Sequence, residues 1–198
     1  MSPKHCVTGL RKGVDVLNGA LAAEATGGSW IGDAPHFSSL STDTREIKSG
    51  QWFLALKGER FDAHDHVDQA IALGSSAVVV AQVAQRACPQ LVVSDTRVAL
   101  GQLAAAHRSG WSGFSTAVTG SCGKTTTKRL LAAGLRREGL GVESAKSFNN
   151  DIGVPRTLLE LTQEHCWLAA EVGMSAPGEI APLARMVSPD AAILTMVG

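Results

Sequence analysis

Residues 114–138 join an apolar run, a glycine-bearing turn and a helix-like stretch in an order that few folds accommodate. The run is Phe114-Ser115-Thr116-Ala117-Val118-Thr119, the turn is Gly120-Ser121-Cys122-Gly123, and Lys124-Thr125-Thr126-Thr127 opens the helix-like stretch. The pattern predicts a buried strand over 114–119 and a helix over 124–138, with the helix N-terminus set against the turn. Glycines let backbone N–H groups turn inward around phosphate oxygens, and the helix end adds a partial positive charge. From that position Lys124 reaches the β- and γ-phosphates of a mononucleotide, and Thr125 offers its hydroxyl to Mg²⁺. A strict G-x-x-x-x-G-K-[ST] loop has glycine where this chain has Val118, so the loop is a variant of the T-G-x-x-G-K-T-T-T kind. Cys122 is expected to contribute through its backbone alone, its thiol being incidental.

The rest of the chain supplies the sheet such a loop needs. Beyond the loop, the pattern predicts a strand over 141–145, a helix over 154–161, an apolar run over 167–172, a helix over 177–186 with Pro177 near its start, and a buried strand over 191–197. Strands alternating with helices imply a mostly parallel sheet covered on both faces. Before the loop, helices are expected over 14–25, 66–73 and 96–108, and strands over 52–56, 77–81 and 91–94. The flexible S-G-W-S-G at 109–113 separates the two stretches. The fold class is therefore α/β: a small N-terminal α/β domain, residues 1–112, followed by the start of a P-loop domain with a mostly parallel sheet, residues 113–198. The chain stops at Gly198 with no helix after the last strand, which leads us to expect a nucleotide domain that continues further.

Composition narrows the partners. Eighteen Lys plus Arg balance eighteen Asp plus Glu in 198 residues, so no field of one sign gathers nucleic acid or an anionic membrane. No apolar run approaches the roughly 18 residues of a membrane span, and a cytoplasmic protein is expected. Cys6, Cys88, Cys122 and Cys166 are too scattered for a zinc knuckle and are read as free thiols.

A triphosphate site needs a carboxylate for Mg²⁺ at the carboxyl end of a neighbouring strand. Glu171 ends the apolar run Trp167-Leu168-Ala169-Ala170 and is the candidate; buried there it would require a partner. Glu179 is expected to be an exposed first-turn acid. Asn149 and Asn150, in the loop 147–155, lie on the same ligand edge, where helix capping and substrate contact are equally consistent with the pattern. Ser41-Thr42-Asp43-Thr44-Arg45 and the loop 57–66, with Asp62, His64, Asp65 and His66, flank the strand over 52–56. The latter loop is read as turn and cap residues and not as a metal cluster.

Taken in order, Ser41-Thr42-Asp43-Thr44-Arg45, Phe53-Leu54-Ala55-Leu56-Lys57-Gly58, the T-G-S-C-G-K-T-T-T loop, Phe148-Asn149-Asn150-Asp151-Ile152-Gly153-Val154-Pro155 and Glu171-Val172-Gly173-Met174 through Pro177-Gly178-Glu179-Ile180 resemble the Mur ligases. The N-N-x-I-G-V-P and E-x-G-M-x-x-P-G-E-I segments favour the member that adds D-alanyl-D-alanine over the one that adds a diamino acid as third peptide residue. The chain departs from the family's pattern at Ala63, Ser175-Ala176 and Met196.

The resemblance implies a three-domain, monomeric, cytoplasmic ligase of peptidoglycan precursor synthesis, using ATP and Mg²⁺. Its substrates would be a UDP-N-acetylmuramoyl-peptide and D-alanyl-D-alanine, joined through an acyl phosphate. It further implies that Gly120, Ser121, Cys122, Gly123, Lys124, Thr125 and Thr126 bind ATP, with Lys124 and Glu171 catalytic and Thr125 and Glu171 holding Mg²⁺. Asn149 and Asn150 would lie beside the muramoyl-peptide, and Ser41, Thr42, Asp43, Thr44 and Arg45 near the uridine diphosphate. Since the family's remaining site residues would come after Gly198, the 198-residue chain alone is expected not to complete ligation. A non-catalytic truncated homologue that binds a UDP-sugar or nucleotide is the reading from another class.

Overall fold

The computed structural model describes residues 17–58, 61–145 and 148–197. Residues 14–16 of the first expected helix, Cys6, Glu59, Arg60, Ser147 and Gly198 lie outside them. The described chain forms two compact units that divide between Ala106 and His107, each built on its own sheet.

The first unit has five strands: β1 (Ser29–Ile31), β2 (Leu40–Ser41), β3 (Trp52–Leu54), β4 (Ala77–Val80) and β5 (Gln90–Val92), in the order β1-β5-β4-β3-β2. All neighbours run parallel except β1, which pairs antiparallel with β5 at the edge. β3 and β4 are buried at every residue. Such uninterrupted apolar runs are the signature of parallel strands covered on both faces. α1 (Gly19–Thr26) is capped by Asn18, whose side chain accepts the Leu21 N–H at 2.9 Å. α2 (Val67–Ala72) sets Val67 and Ala70 against Phe53, Val78 and Val80.

Two strands here escape the sequence reading. β1 and β2 are three and two residues long, too short for an alternation to register. The expected strand over 52–56 ends at Leu54, and that over 91–94 is Gln90–Val92. The expected helix over 66–73 is preceded by a 3₁₀ turn, Ala63–His66, because Asp62 accepts the His64 N–H and tightens the entry.

α3 (Thr96–Ser109), capped by Asp95, leads out of the first unit. Its last turn belongs to the second unit. There the Arg108 guanidinium donates to the carbonyls of Val187, Ser188 and Trp111, and His107 Nε2 meets the Leu161 carbonyl at 2.7 Å.

The second sheet comprises β6 (Phe114–Thr119), β7 (Gly141–Glu143), β8 (Trp167–Glu171) and β9 (Ala191–Leu194) in the order β7-β8-β6-β9, all parallel. Between them lie α4 (Lys124–Leu135), α5 (Gly153–Leu159) and α6 (Ile180–Val187). β8 is buried throughout, and Ala132 of α4 packs with Trp167 and Ala169. The helix expected over 124–138 changes to a 3₁₀ turn at Arg136–Glu138. The helix expected to start at Pro177 starts at Ile180 instead. Glu179 closes the preceding turn by accepting the Ser175 and Ala176 amides, and Pro182 occupies the first helical turn, where its missing N–H leaves no bond unmade. β9 stops at Leu194, short of 197, with its residues largely exposed at the sheet edge. Among the described residues no helix is long and apolar enough to cross a membrane.

Candidate functional site

Parallel strands gather the segments that come after them on one edge, and the second sheet does so around β6. The order β7-β8-β6-β9 makes β6 the strand at which connections part: α4 leads to one side and α6 returns to the other. Ligands of open α/β sheets sit outside the carboxyl ends at such a point.

The loop after β6 turns on Gly120 and Gly123, at φ 137° and 82°, a backbone region that other residues reach only under strain. A Cβ built at Gly120 would also lie 2.1 Å from Thr195 Oγ1. α4 begins directly after Gly123 with no side-chain cap and no acid in its first turn, which leaves its N-terminal amides oriented for an anion. Lys124 Nζ folds over the loop and donates to the carbonyls of Gly120 at 2.7 Å and Ser121 at 3.3 Å. Thr126 is exposed and Thr125 half-buried.

Two residues after β9, Thr195 and Met196, brace this loop, and the sequence pattern signals neither contact. Thr195 Oγ1 reaches the Cys122 carbonyl at 2.6 Å and the Thr119 carbonyl at 3.1 Å. The Ser121 amide donates to the Met196 carbonyl at 2.6 Å, so this N–H of the expected cradle is engaged by the protein itself. The Cys122 thiol is exposed and lies 3.9 Å from the Met196 sulfur.

Glu171 closes β8 beside Val118, and it is 2% exposed. The sequence reading requires a partner, and the structure supplies three donors. Thr125 Oγ1 donates to Oε2 at 2.8 Å, Asn149 Nδ2 donates to Oε1 at 3.0 Å, and Lys128 Nζ stands 3.5 Å from Oε2. The Glu171 amide donates to Ser144 Oγ at 2.9 Å, fixing the backbone beneath the carboxylate. The structure thus brings together Lys124, Thr125, Glu171 and Asn149. Asn150 does a different job: its side chain accepts the amides of Ile152 and Gly153 at 3.3 and 2.9 Å and caps α5.

Lys128 is a site residue that the sequence reading misses, although a signal exists. It lies one turn after Lys124 and four residues before Ala132, and is buried with it on the sheet-facing side of α4. A lysine on the apolar stripe of an amphipathic helix breaks the pattern.

In the first unit, Ser41–Arg45 forms a turn after β2. Ser41 Oγ donates to the Asp43 carbonyl, and the Asp43 carboxylate accepts from the Arg45 amide and guanidinium, with Arg45 exposed. Thr44 Oγ1 donates to Gln69 at 3.2 Å, and Thr42 is half-buried. In the neighbouring loop, His64 Nε2 accepts the Ala81 N–H at 2.9 Å, so Nδ1 carries the proton donated to Asp62 Oδ1 at 2.5 Å. These bonds from His64, with Lys57 adjacent, lower the Asp62 carboxyl to about 2. Burial raises the thiol of Cys88.

Residues 36–108 match the Mur ligase family catalytic domain, and residues 118–198 match the Mur ligase middle domain. The chain belongs to the Mur ligase family. Among curated Mur ligases it is 44% identical, over 181 residues, to the UDP-N-acetylmuramoyl-tripeptide--D-alanyl-D-alanine ligase of Escherichia coli, covering 91% of this chain and 38% of that protein. The solved Mur ligase structure of UDP-N-acetylmuramoylalanyl-D-glutamyl-2,6-diaminopimelate--D-alanyl-D-alanyl ligase from Acinetobacter baumannii superposes with a TM-score of 0.82 at 40% identity, over 91% of this chain and 42% of that one. The MurF ligase from Thermotoga maritima, solved in complex with ADP, gives 0.72 at 32% identity, over 81% and 38%. The chain therefore spans about two fifths of the length of these relatives.

Proposed function

We propose that this chain supplies the nucleotide site and the UDP-substrate domain of an ATP-dependent ligase that joins D-alanyl-D-alanine to a UDP-N-acetylmuramoyl-tripeptide in the cytoplasm. In this reading residues 1–112 hold the UDP end of the substrate, and residues 113–198 form the first part of the ATPase domain. The observation that carries it is the meeting of Thr125 with Glu171 at the mouth of a glycine-turned loop, in a chain 44% identical to a ligase of that name.

The donor set suits Mg²⁺. A hydroxyl and a carboxylate are hard oxygen ligands, and this ion is commonly held by one or two carboxylates together with substrate phosphates. Thr125 donates its proton to Glu171 and keeps lone pairs for a cation. When bound, the ion would neutralise charge that develops on the phosphates.

The residues of the chain then have separable tasks. The α4 N-terminus and the loop amides orient the triphosphate. Lys124 exchanges its bonds to Gly120 and Ser121 for the transferring γ-phosphoryl group. That group passes to the carboxylate of the UDP-muramoyl-tripeptide, releasing ADP and leaving an acyl phosphate. The amine of D-alanyl-D-alanine attacks the acyl carbon, phosphate departs with the C–O bond, and the nitrogen loses a proton to give the amide. Such chemistry depends on alignment and charge neutralisation and needs no covalent nucleophile from the protein.

The test is product analysis on the full-length gene product. With ATP, Mg²⁺, UDP-N-acetylmuramoyl-tripeptide and D-alanyl-D-alanine, amide, ADP and phosphate should form in equal amounts. Consumption of a free diamino acid in place of the dipeptide, or no amide at all, would contradict the reading.

A further inference from the structure

The reading of Thr125 and Glu171 as a Mg·ATP site leaves Lys128 without a task. Lys128 is 1% exposed, and its Nζ donates to the Ser144 carbonyl at 2.5 Å while standing 3.5 Å from Glu171 Oε2. Its ammonium is therefore tied to the ends of β7 and β8, whereas Lys124 holds the carbonyls of the loop. A buried ammonium and a buried carboxylate are each costly, and replacement of such a pair by apolar residues often leaves a protein as stable or more so. Packing is thus a poor account of why a charge stands here.

The geometry gives a better one. Glu171 Oε2 is shared by Thr125 and Lys128, and Oε1 is held by Asn149. With donors on both oxygens, two from α4 and one from the loop before α5, the carboxylate plane is fixed against rotation. The Thr125 hydroxyl is the member of this set at the loop, so an error in the carboxylate displaces the hydroxyl too.

We propose that Lys128 is a positioning residue that holds Glu171 in the orientation from which it and Thr125 receive the divalent cation, and so sets how strongly Mg²⁺ tightens nucleotide binding. Groups that orient metal ligands from behind typically change metal affinity about 10–100-fold when removed.

The test uses Lys128→Gln, which keeps N–H donors at similar reach and removes the charge. ATP is titrated by calorimetry in Mg²⁺ and in EDTA, on wild type and variant. Wild type should bind more tightly in Mg²⁺. In the variant that advantage should shrink at least tenfold, while binding in EDTA changes less than about twofold. A variant that loses thermal stability but keeps the full Mg²⁺ advantage would overturn the proposal and make Lys128 a structural residue only. If wild type itself shows no Mg²⁺ advantage, the cation site fails, and this proposal with it.

Should the variant not fold, the wild-type chain labelled with ¹⁵N at lysine Nζ answers the same question. A buried Lys128 ammonium should give a slowly exchanging signal that shifts with Mg·ATP and stays in place with ATP in EDTA. An unchanged signal in both would contradict the coupling.

Discussion

Asp62 and Glu171 are both carboxylates held by hydrogen bonds, in surroundings that set them different tasks. Asp62 is partly exposed and bonded to His64, which lowers its carboxyl to about 2 from an ordinary value of 3.8. A carboxylate depressed in the folded state adds stability that is complete above its unfolded value and is lost as the pH falls through the folded one. Asp62→Asn should therefore be less stable than wild type at pH 6, and the gap should close between about pH 4 and pH 2. Denaturant unfolding across that range checks this; a gap that stays constant would contradict it. Glu171 instead faces three donors in the interior, and removal of one partner of such a buried pair typically costs about 3–5 kcal/mol. Lys128→Met should lose stability on that scale, read from its denaturant midpoint. At this scale the sequence is partly legible. Glu171 can be picked out because a carboxylate ending an apolar strand must be partnered, but the partner's identity depends on which face of α4 turns inward.

At the scale of elements, the loop after β6 is fixed from two directions. The Thr195 hydroxyl shares its one proton between the Cys122 and Thr119 carbonyls, an interaction worth about 0.5–1.5 kcal/mol net. Thr195→Val should lower stability by about 0.5–1.5 kcal/mol and weaken nucleotide binding through a looser loop, with both effects measurable by thermal shift with and without ATP. Asn150 caps α5 through the amides of Ile152 and Gly153, so Asn150→Ala should cost about 1 kcal/mol of stability. A loss of substrate affinity without that stability loss would instead favour the muramoyl-peptide role. The long buried strands and the strand–loop–helix at 114–135 are legible because their apolar runs and glycine turn leave few alternatives. β1 and β2 are not, since two or three residues carry no periodicity. The start of α6 is misplaced by the sequence because Pro177 and Pro182 are both compatible with a first turn, and only the bonds of Glu179 to Ser175 and Ala176 decide between them.

For the molecule as a whole, family and site rest on different observations. The family models and the relatives at 40–44% identity place the chain among the Mur ligases, while the second sheet places Lys124, Thr125, Glu171 and Thr195 at one edge. A ligand that binds only the folded chain stabilises it by about 2.7 kcal/mol at a hundredfold excess over Kd. Saturating Mg·ATP should accordingly raise the melting temperature. The most direct test of the site is a calorimetric titration of the chain with Mg·ATP, with Lys124→Ala in parallel. The wild type should show one saturable site, and Lys124→Ala should lose that binding while still unfolding cooperatively without nucleotide. Equal binding by both proteins, or none by the wild type, would contradict the account.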